Sequence, residues 1–257
     1  MDILIINPNT SIDFTNRIDF IAKSYANPRT NVKTLNPQTG PGSIEGMYDA
    51  MLSAPGILDI FLRNHSKFDA FVMASYGDHP MISALREITH KPVIGIAEAS
   101  MQVACQLGYR FSIVTSGARW VPLLEESVVK YGLSDRCSSI RSIHLPVWEL
   151  ESGSQIDVIQ EITNVAMLAI KEDKADVICL GSGGMARFHK LIEEKLCVPV
   201  VDGVIAGLKM AESIVQMGLS TSKQSLYATP KKRPLQRLPE DYSSPNDNQE
   251  PGIAILK

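Results

Sequence analysis

The sequence predicts an α/β protein of two similar halves, each a parallel sheet flanked by helices, with a cleft between them. Three observations carry this reading. Apolar runs of strand length alternate with stretches of helix length, the pattern of parallel sheets joined by right-handed crossovers. One stretch occurs twice: Asp69-Ala70-Phe71-Val72-Met73-Ala74-Ser75-Tyr76-Gly77 and Asp176-Val177-Ile178-Cys179-Leu180-Gly181-Ser182-Gly183-Gly184. Each is an apolar run of the kind buried on both faces of a parallel sheet, ending in serine and then glycine. The surrounding spacings also match. Ser75 precedes Pro92 by 17 residues and Ser182 precedes Pro199 by 17, while Asn7 precedes Ser75 by 68 and Thr115 precedes Ser182 by 67. A single offset therefore aligns three strand ends, which points to internal duplication.

The elements follow in order. Residues 2–7 form a first strand, and Asn7-Pro8-Asn9-Thr10-Ser11 turns the chain, with Thr10 or Ser11 able to cap the next helix. Val32–Leu35 is a weaker strand expected near an edge. The loop Gly40–Gly46 is glycine-rich, and Ser43 is expected to cap a helix running to about Asn64. Strand 70–75 is followed by His79-Pro80, a helix start, because proline is tolerated in a first turn. Strand 92–96 leads into helix 98–107, closed by Gly108. Strand 110–115, the turn Ser116–Arg119 and a helix to about Tyr131 open the second half. Strand 140–147, helix 154–171, strand 177–182, a helix near 185–194 and strand 198–202 continue the chain, and a last helix follows at 204–217. From about Ser220 the chain turns polar and is broken by Pro230, Pro234, Pro239, Pro245 and Pro251, so 220–257 reads as a mostly disordered tail.

Composition narrows the function classes. The chain has 257 residues and a net charge of −3, with no clustered basic face of the kind that binds nucleic acid. No apolar run approaches the roughly 20 residues that span a membrane, and Met1-Asp2-Ile3 lacks the basic start of a secretory signal. The four cysteines, Cys105, Cys137, Cys179 and Cys197, have no metal-like spacing; Cys179 and Cys197 fall in expected core strands. A cytoplasmic protein is expected, with no metal.

In open parallel α/β sheets ligands bind outside the carboxyl ends of the strands, which puts Ser75 and Ser182 where chemistry belongs. Two such units facing each other would set these serines on opposite walls of one cleft. Asn9, Thr10, Thr115 and Ser116 stand at other strand ends, where turn and cap duty serves as well as the ligand contacts that the family resemblance set out below implies. The backbone N–H groups after Ser75 and Ser182, through Tyr76, Gly77, Gly183 and Gly184, lie at strand-to-helix turns and can stabilise a developing oxyanion. His79 follows Ser75 closely; it is either part of a helix start or a base able to replace or activate the serine. Trp120 and Trp148 read as packing residues, Trp120 with the option of meeting substrate. His189 reads as an exposed helix residue.

Four motifs carry a resemblance: Ile6-Asn7-Pro8-Asn9-Thr10-Ser11, Gly40-Pro41-Gly42-Ser43-Ile44-Glu45-Gly46, Val114-Thr115-Ser116 and Leu180-Gly181-Ser182-Gly183-Gly184-Met185. Together, over about residues 1–217, the chain resembles the hydantoin racemase group of the aspartate/glutamate racemase superfamily. The resemblance implies a first half of 1–96 with 203–219 and a second half of 97–202. It implies a small-molecule substrate such as a hydantoin, allantoin or an amino-acid-like compound, no cofactor, and a homo-oligomer. It also implies two cysteines, one per half, that move a proton at the carbon next to a carbonyl. Inversion needs removal on one face and delivery on the other. In this sequence those cysteines correspond to Ser75 and Ser182. A thiol is readily tuned to thiolate at neutral pH, whereas a serine hydroxyl needs an adjacent base. Three readings stay open: a racemase disabled by cysteine-to-serine changes, a diverged enzyme (decarboxylase, isomerase or lyase), and a non-catalytic binder on the same scaffold.

Overall fold

A computed structural model describes residues 1–144 and 154–231. Two four-stranded parallel sheets form its centre. The first contains β1 (Asp2–Ile6), β2 (Asn31–Leu35), β3 (Ala70–Met73) and β4 (Val93–Gly95) in the order β2-β1-β3-β4. The second contains β5 (Phe111–Ser116), β6 (Cys137–Ile143), β7 (Val177–Gly181) and β8 (Val200–Asp202) in the order β6-β5-β7-β8. The two orders are the same once the chain is counted from β1 and from β5, so the expected duplication is visible as topology. Registers correspond as well: Ile6 stands beside Met73 and Thr115 beside Gly181, so the strands preceding Ser75 and Ser182 end level with their central neighbours.

The continuous apolar runs follow from burial on both faces. In β1, Ile3 and Ile5 enter one core while Leu4 and Ile6 enter another. In β7, Val177 and Cys179 point one way while Ile178 and Leu180 point the other. The outer face of the first sheet is covered by α2 (Met47–Asn64) and α3 (Pro80–Ile88), through Ile57, Phe61 and Leu85. The outer face of the second is covered by α6 (Gln155–Lys171) and α7 (His189–Leu196), through Ile162, Ala166 and Ile192. The inner faces share one core, built on α1 (Ile12–Tyr25), α4 (Ile96–Leu107), α5 (Trp120–Lys130) and α8 (Gly203–Gln216). That core runs from Ile3 and Val72 through Ile96 and Val204 to Ile113 and Val177, so the two sheets are held by a single apolar layer. Helix α8 returns to the first sheet and packs on β3 and β4. Gly207 makes this approach possible: a Cβ there would lie 3.0 Å from the side chains of both Ile96 and Val72.

Several local expectations change. Ser11, rather than Thr10, caps α1, accepting from Phe14 N–H at 3.1 Å. Helix α2 begins at Met47 with Gly46 before it, so Ser43 is not its cap; the Ser43 hydroxyl donates to Glu45 instead. The sixth strand runs from Cys137 to Ile143, earlier than 140–147, and the rest of that range, with Trp148, lies outside the described residues. The helix near 185–194 is two pieces, a 3₁₀ segment over Gly183–Phe188 and then α7. Cys197 is exposed, not in a core strand: it caps α7 in a left-handed conformation (φ 56°), three residues before β8 begins.

The tail also departs from expectation in its first part. Thr221 N–H donates to His90 O and its hydroxyl to Lys91 O. Lys223 donates to the Arg86 carbonyl, and the Arg86 guanidinium donates to the Tyr227 hydroxyl at 3.2 Å and lies over its ring. Residues 221–227 thus dock on α3, through Arg86, and on the loop that follows it, through His90 and Lys91. Residues 232–257 lie outside the described residues.

Candidate active site

One cleft lies at the carboxyl ends of both sheets. From the first half it is lined by Asn7, Asn9, Phe14, Ser75, Tyr76 and Gly77, and from the second by Ser116, Trp120, Ser182 and Gly183. Ser75 and Ser182 therefore stand on one cleft, each just beyond the end of an inner strand of its sheet, β3 and β7 respectively. The walls are close: a Cβ on Gly183 would lie 3.7 Å from the Ala74 carbonyl oxygen, which adjoins Ser75. The cleft holds about 430 Å³ of empty space, its open mouth included.

The two serines differ. Ser182 has extended backbone and opens the 3₁₀ segment; its Oγ accepts from the Gly184 N–H at 3.2 Å. A backbone N–H directed at this heteroatom stabilises negative charge on it, the effect that lowers thiol pKa at helix starts. The Ser75 hydroxyl makes no hydrogen bond with another described residue, and Ser75 is 7 % exposed on the cleft.

Around them the polar groups are fixed in place. The Asn7 amide donates to Asn9 Oδ1 at 2.8 Å and to Thr15 Oγ1 at 2.9 Å, and Ser11 N–H also donates to Asn9 Oδ1. Asn9 is thus held by its oxygen, and its amide N–H₂ is the end left for a ligand. Tyr76 lines the cleft with its ring, but its buried hydroxyl bonds Ser100 at 2.7 Å, and burial pushes its pKa well up. Gly77 lies flat under Trp120: a Cβ there would come within 2.8 Å of the indole, so no larger residue fits without moving the ring. Among the described lining residues there is no carboxylate, imidazole, amine or thiol.

Other candidates take different places. Thr10 is tied by its N–H and hydroxyl to Pro41 O and holds the 40–46 loop rather than lining the cleft. Thr115 is buried and donates to Gly181 O at 3.0 Å, linking β5 to β7; it is off the lining, while its neighbour Ser116 is on it. Gly184 contributes through its N–H to Ser182. Cys179 sits in the central core beside Ser100 with its pKa raised by burial, and takes no part in the cleft.

His79 does not fit the part of a base. It is 3 % exposed and caps α3: its Nδ1 accepts from Met81 N–H at 3.2 Å and its Nε2 lies 2.9 Å from Ser53 Oγ. Ser53 in turn donates to Ala50 O, so its oxygen receives the Nε2–H. Both nitrogens are committed, and burial pulls the imidazole pKa down to about 4. Nor is His189 an exposed helix residue. It lies between halves, with Nε2 2.9 Å from the Tyr25 hydroxyl and Nδ1 2.9 Å from Ala186 O.

The doubled sheet with one serine-glycine turn per half on a shared cleft can now be set beside known proteins. The model of the Asp/Glu/Hydantoin racemase family matches residues 3–211. The chain belongs to this family. A hydantoin racemase from Pseudomonas sp. (strain NS671) is 42 % identical over 234 residues, covering 91 % of this chain and 93 % of that one. The solved allantoin racemase from Pseudomonas fluorescens superposes with a TM-score of 0.88 at 41 % identity, covering 91 % of this chain and 99 % of the other. That from Klebsiella pneumoniae gives 0.87 at 40 %, covering 91 % and 96 %. Membership in the racemase family accounts for the architecture: two sheet ends facing one another are what two-sided proton transfer requires. Among the described residues no helix is long and apolar enough to cross a membrane.

Proposed function

We propose that this member of the family is a cofactor-independent, racemase-type protein for a hydantoin-like substrate, acting at the carbon next to a carbonyl. One observation carries the reading: Ser75 and Ser182 lie at matching ends of the duplicated sheets and line one cleft. In this reading they stand on the two faces of the reacting carbon. Asn9 and Ser116 hold the ring's carbonyl and N–H edges, and the turn N–H groups after Ser75 meet the enolate oxygen that develops as the proton leaves. Thr10 and Gly184 support the site from behind. Four free cysteines suit a cytoplasmic protein, and exposed Tyr48, Met51 and Leu52 on α2 suit a homo-oligomer.

The absence of an ionisable base among the described lining residues favours a second reading, in which the hydroxyl pair leaves a binder or a disabled racemase. Solvent deuterium exchange at C5 of 5-benzylhydantoin and allantoin, with polarimetry of their resolved enantiomers, separates the two. Exchange with loss of rotation supports turnover by the native chain. Saturable binding with neither supports the second reading. Absence of any binding overturns both.

A further inference from the structure

The duplication extends to how the two halves are tied. Helices α1 and α5 are equivalent: each follows the first strand of its half, β1 or β5, and these strands hold the same place in the two sheet orders. Each helix finishes on a tyrosine, Tyr25 as the last residue of α1 and Tyr131 as the C-cap of α5. The two are 106 residues apart, against 107 for Ser75 and Ser182, so nearly one offset relates both pairs.

Both tyrosines reach across the halves. The Tyr25 hydroxyl lies 2.9 Å from His189 Nε2, and the two rings meet edge to face with centroids 5.6 Å apart. His189 Nδ1 is 2.9 Å from Ala186 O, so the tautomer protonated at Nδ1 donates there and leaves Nε2 to accept from the tyrosine. Ala186 belongs to the 3₁₀ segment that Ser182 opens, and His189 starts the helix that continues it. In the other direction, the Tyr131 hydroxyl donates at 2.9 Å to Asp78 Oδ1, three residues beyond Ser75. Burial, with the Asp78 carboxylate beside it, raises the pKa of this hydroxyl, so it keeps its proton and remains a donor. Lys130 pairs with the other Asp78 oxygen, but its side chain is exposed, where an ion pair holds little. The turn after each serine is thus tied to the half that carries the other serine.

Resting on the function proposed above, we infer that Tyr25 and Tyr131 are paired positioning residues: each fixes the turn that follows the serine of the opposite half, and together they set the separation of the two walls. Two-sided proton transfer places one carbon between two fixed groups, and a misplacement of about 1 Å costs about 10²-fold. A turn tied only to its own sheet moves with that sheet. A turn tied to the facing half keeps register with the facing group. Tyrosine suits the task, because a rigid ring on two torsions directs a single hydroxyl.

The test has two arms, both using Tyr25→Phe and Tyr131→Phe, which keep the rings and remove the bonds. The first is amide hydrogen exchange of the native chain, which needs no turnover. Tyr131→Phe speeds exchange of the 76–79 amides about 5- to 10-fold and leaves the 183–188 amides within about 2-fold; Tyr25→Phe does the reverse. The second is C5 deuterium exchange of the resolved enantiomers of 5-benzylhydantoin in the chain carrying Ser75→Cys with Ser182→Cys. There the C5 proton passes to one thiolate and the electrons of the C–H bond to the enolate. A proton then returns from the same thiol after exchange with solvent, or from the facing thiol. The enantiomer whose thiolate is misplaced loses exchange and inversion together, while its mirror image still exchanges with retention. One tyrosine variant therefore slows exchange of one enantiomer about 10- to 100-fold, and the other variant slows the other enantiomer. The loss is in kcat, with KM within about 3-fold. Amide exchange that rises only within α1 or α5, or equally throughout the chain, overturns the inference, as does equal slowing of both enantiomers by each variant. The crossed amide pattern in a chain whose double-cysteine form turns nothing over keeps the two ties and overturns the function proposed above.

Discussion

Ser75 and Ser182 line the same cleft from two different sheets, and the carbonyl beside the first is 3.7 Å from where a Cβ on the residue after the second would lie. Two proton carriers at these positions would address opposite faces of one carbon. Replacing oxygen by sulfur at both, Ser75→Cys with Ser182→Cys, supplies acidic groups with little change in volume. The Gly184 N–H would favour thiolate at the second. The expected outcome is a rise in deuterium exchange and racemisation of about 10²- to 10⁴-fold over the native chain, the scale of positioned acid–base catalysis. Either single change should give exchange on one face with little racemisation. A double variant that folds and binds hydantoins but neither exchanges nor racemises them would count against the assignment of both positions.

His79 should matter for folding and its pH dependence rather than for proton transfer. Its folded pKa is about 4, below the roughly 6.5 of an unfolded histidine. The folded state therefore binds fewer protons between these values, and the stability it contributes is complete above about pH 6.5 and lost as pH falls toward 4. His79→Asn, which can still cap α3, should cost about 1–2 kcal/mol at pH 8. Its melting temperature should fall less than the native chain's between pH 7 and pH 4.5. In the double-cysteine background it should retain exchange within about 5-fold; a loss of several hundred-fold would restore His79 as a base.

The docked segment after α8 is testable by truncation. A chain ending at Ser220 lacks the Thr221 bonds to His90 and Lys91 and the Tyr227 ring against Arg86. It should be less stable than a chain ending at Lys231 by about 1–2 kcal/mol in urea unfolding, the worth of a few partly exposed hydrogen bonds and one cation–π contact. Equal midpoints would mean that the segment contributes nothing to folding.

What could be read in advance follows the range of the interactions involved. Both sheets, their duplication and the positions of the two serines were legible because a strand buried on both faces leaves an uninterrupted apolar run, as in Val177–Leu180. The cleft residues Asn9 and Ser116 were legible because strand ends in parallel sheets carry ligand contacts. Thr115 was not separable from Ser116, since its hydroxyl is drawn to Gly181 O on a neighbouring strand distant in sequence. His79 read as a helix start or a base, and its burial was not legible because the serine that engages it lies on α2. The docking of Tyr227 depends on one side chain, Arg86, in a tail whose composition argues for disorder. The bonds of Tyr25 and Tyr131 span the two halves, and no local pattern announces them.

Asp202 gives the last prediction. It ends β8 and caps α8, its Oδ1 accepting from Ile205 N–H at 3.0 Å, while Oδ2 is buried without a hydrogen-bond partner. The nearest cationic candidate is His189, with Nδ1 4.0 Å from Oδ2. That nitrogen lies 2.9 Å from Ala186 O and the other 2.9 Å from the Tyr25 hydroxyl, an arrangement one imidazole tautomer satisfies without the aspartate. Burial raises the Asp202 pKa to about 7, against roughly 3.9 in an unfolded chain. A raised carboxyl pKa means that the folded state holds the extra proton between these values. Stability from this group is therefore full below about pH 4 and is lost as pH rises to 7, with no further change above. Asp202→Asn keeps the capping oxygen and replaces the protonated acid by a neutral amide. It should leave stability within about 1 kcal/mol at pH 4 and raise it by about 2–4 kcal/mol at pH 8, where the native carboxylate is ionised in the core. Urea unfolding of both chains at the two pH values measures the difference directly. A variant less stable than the native chain at pH 8 would mean instead that an ionised Asp202 is paired with a charged His189 and holds the two halves together.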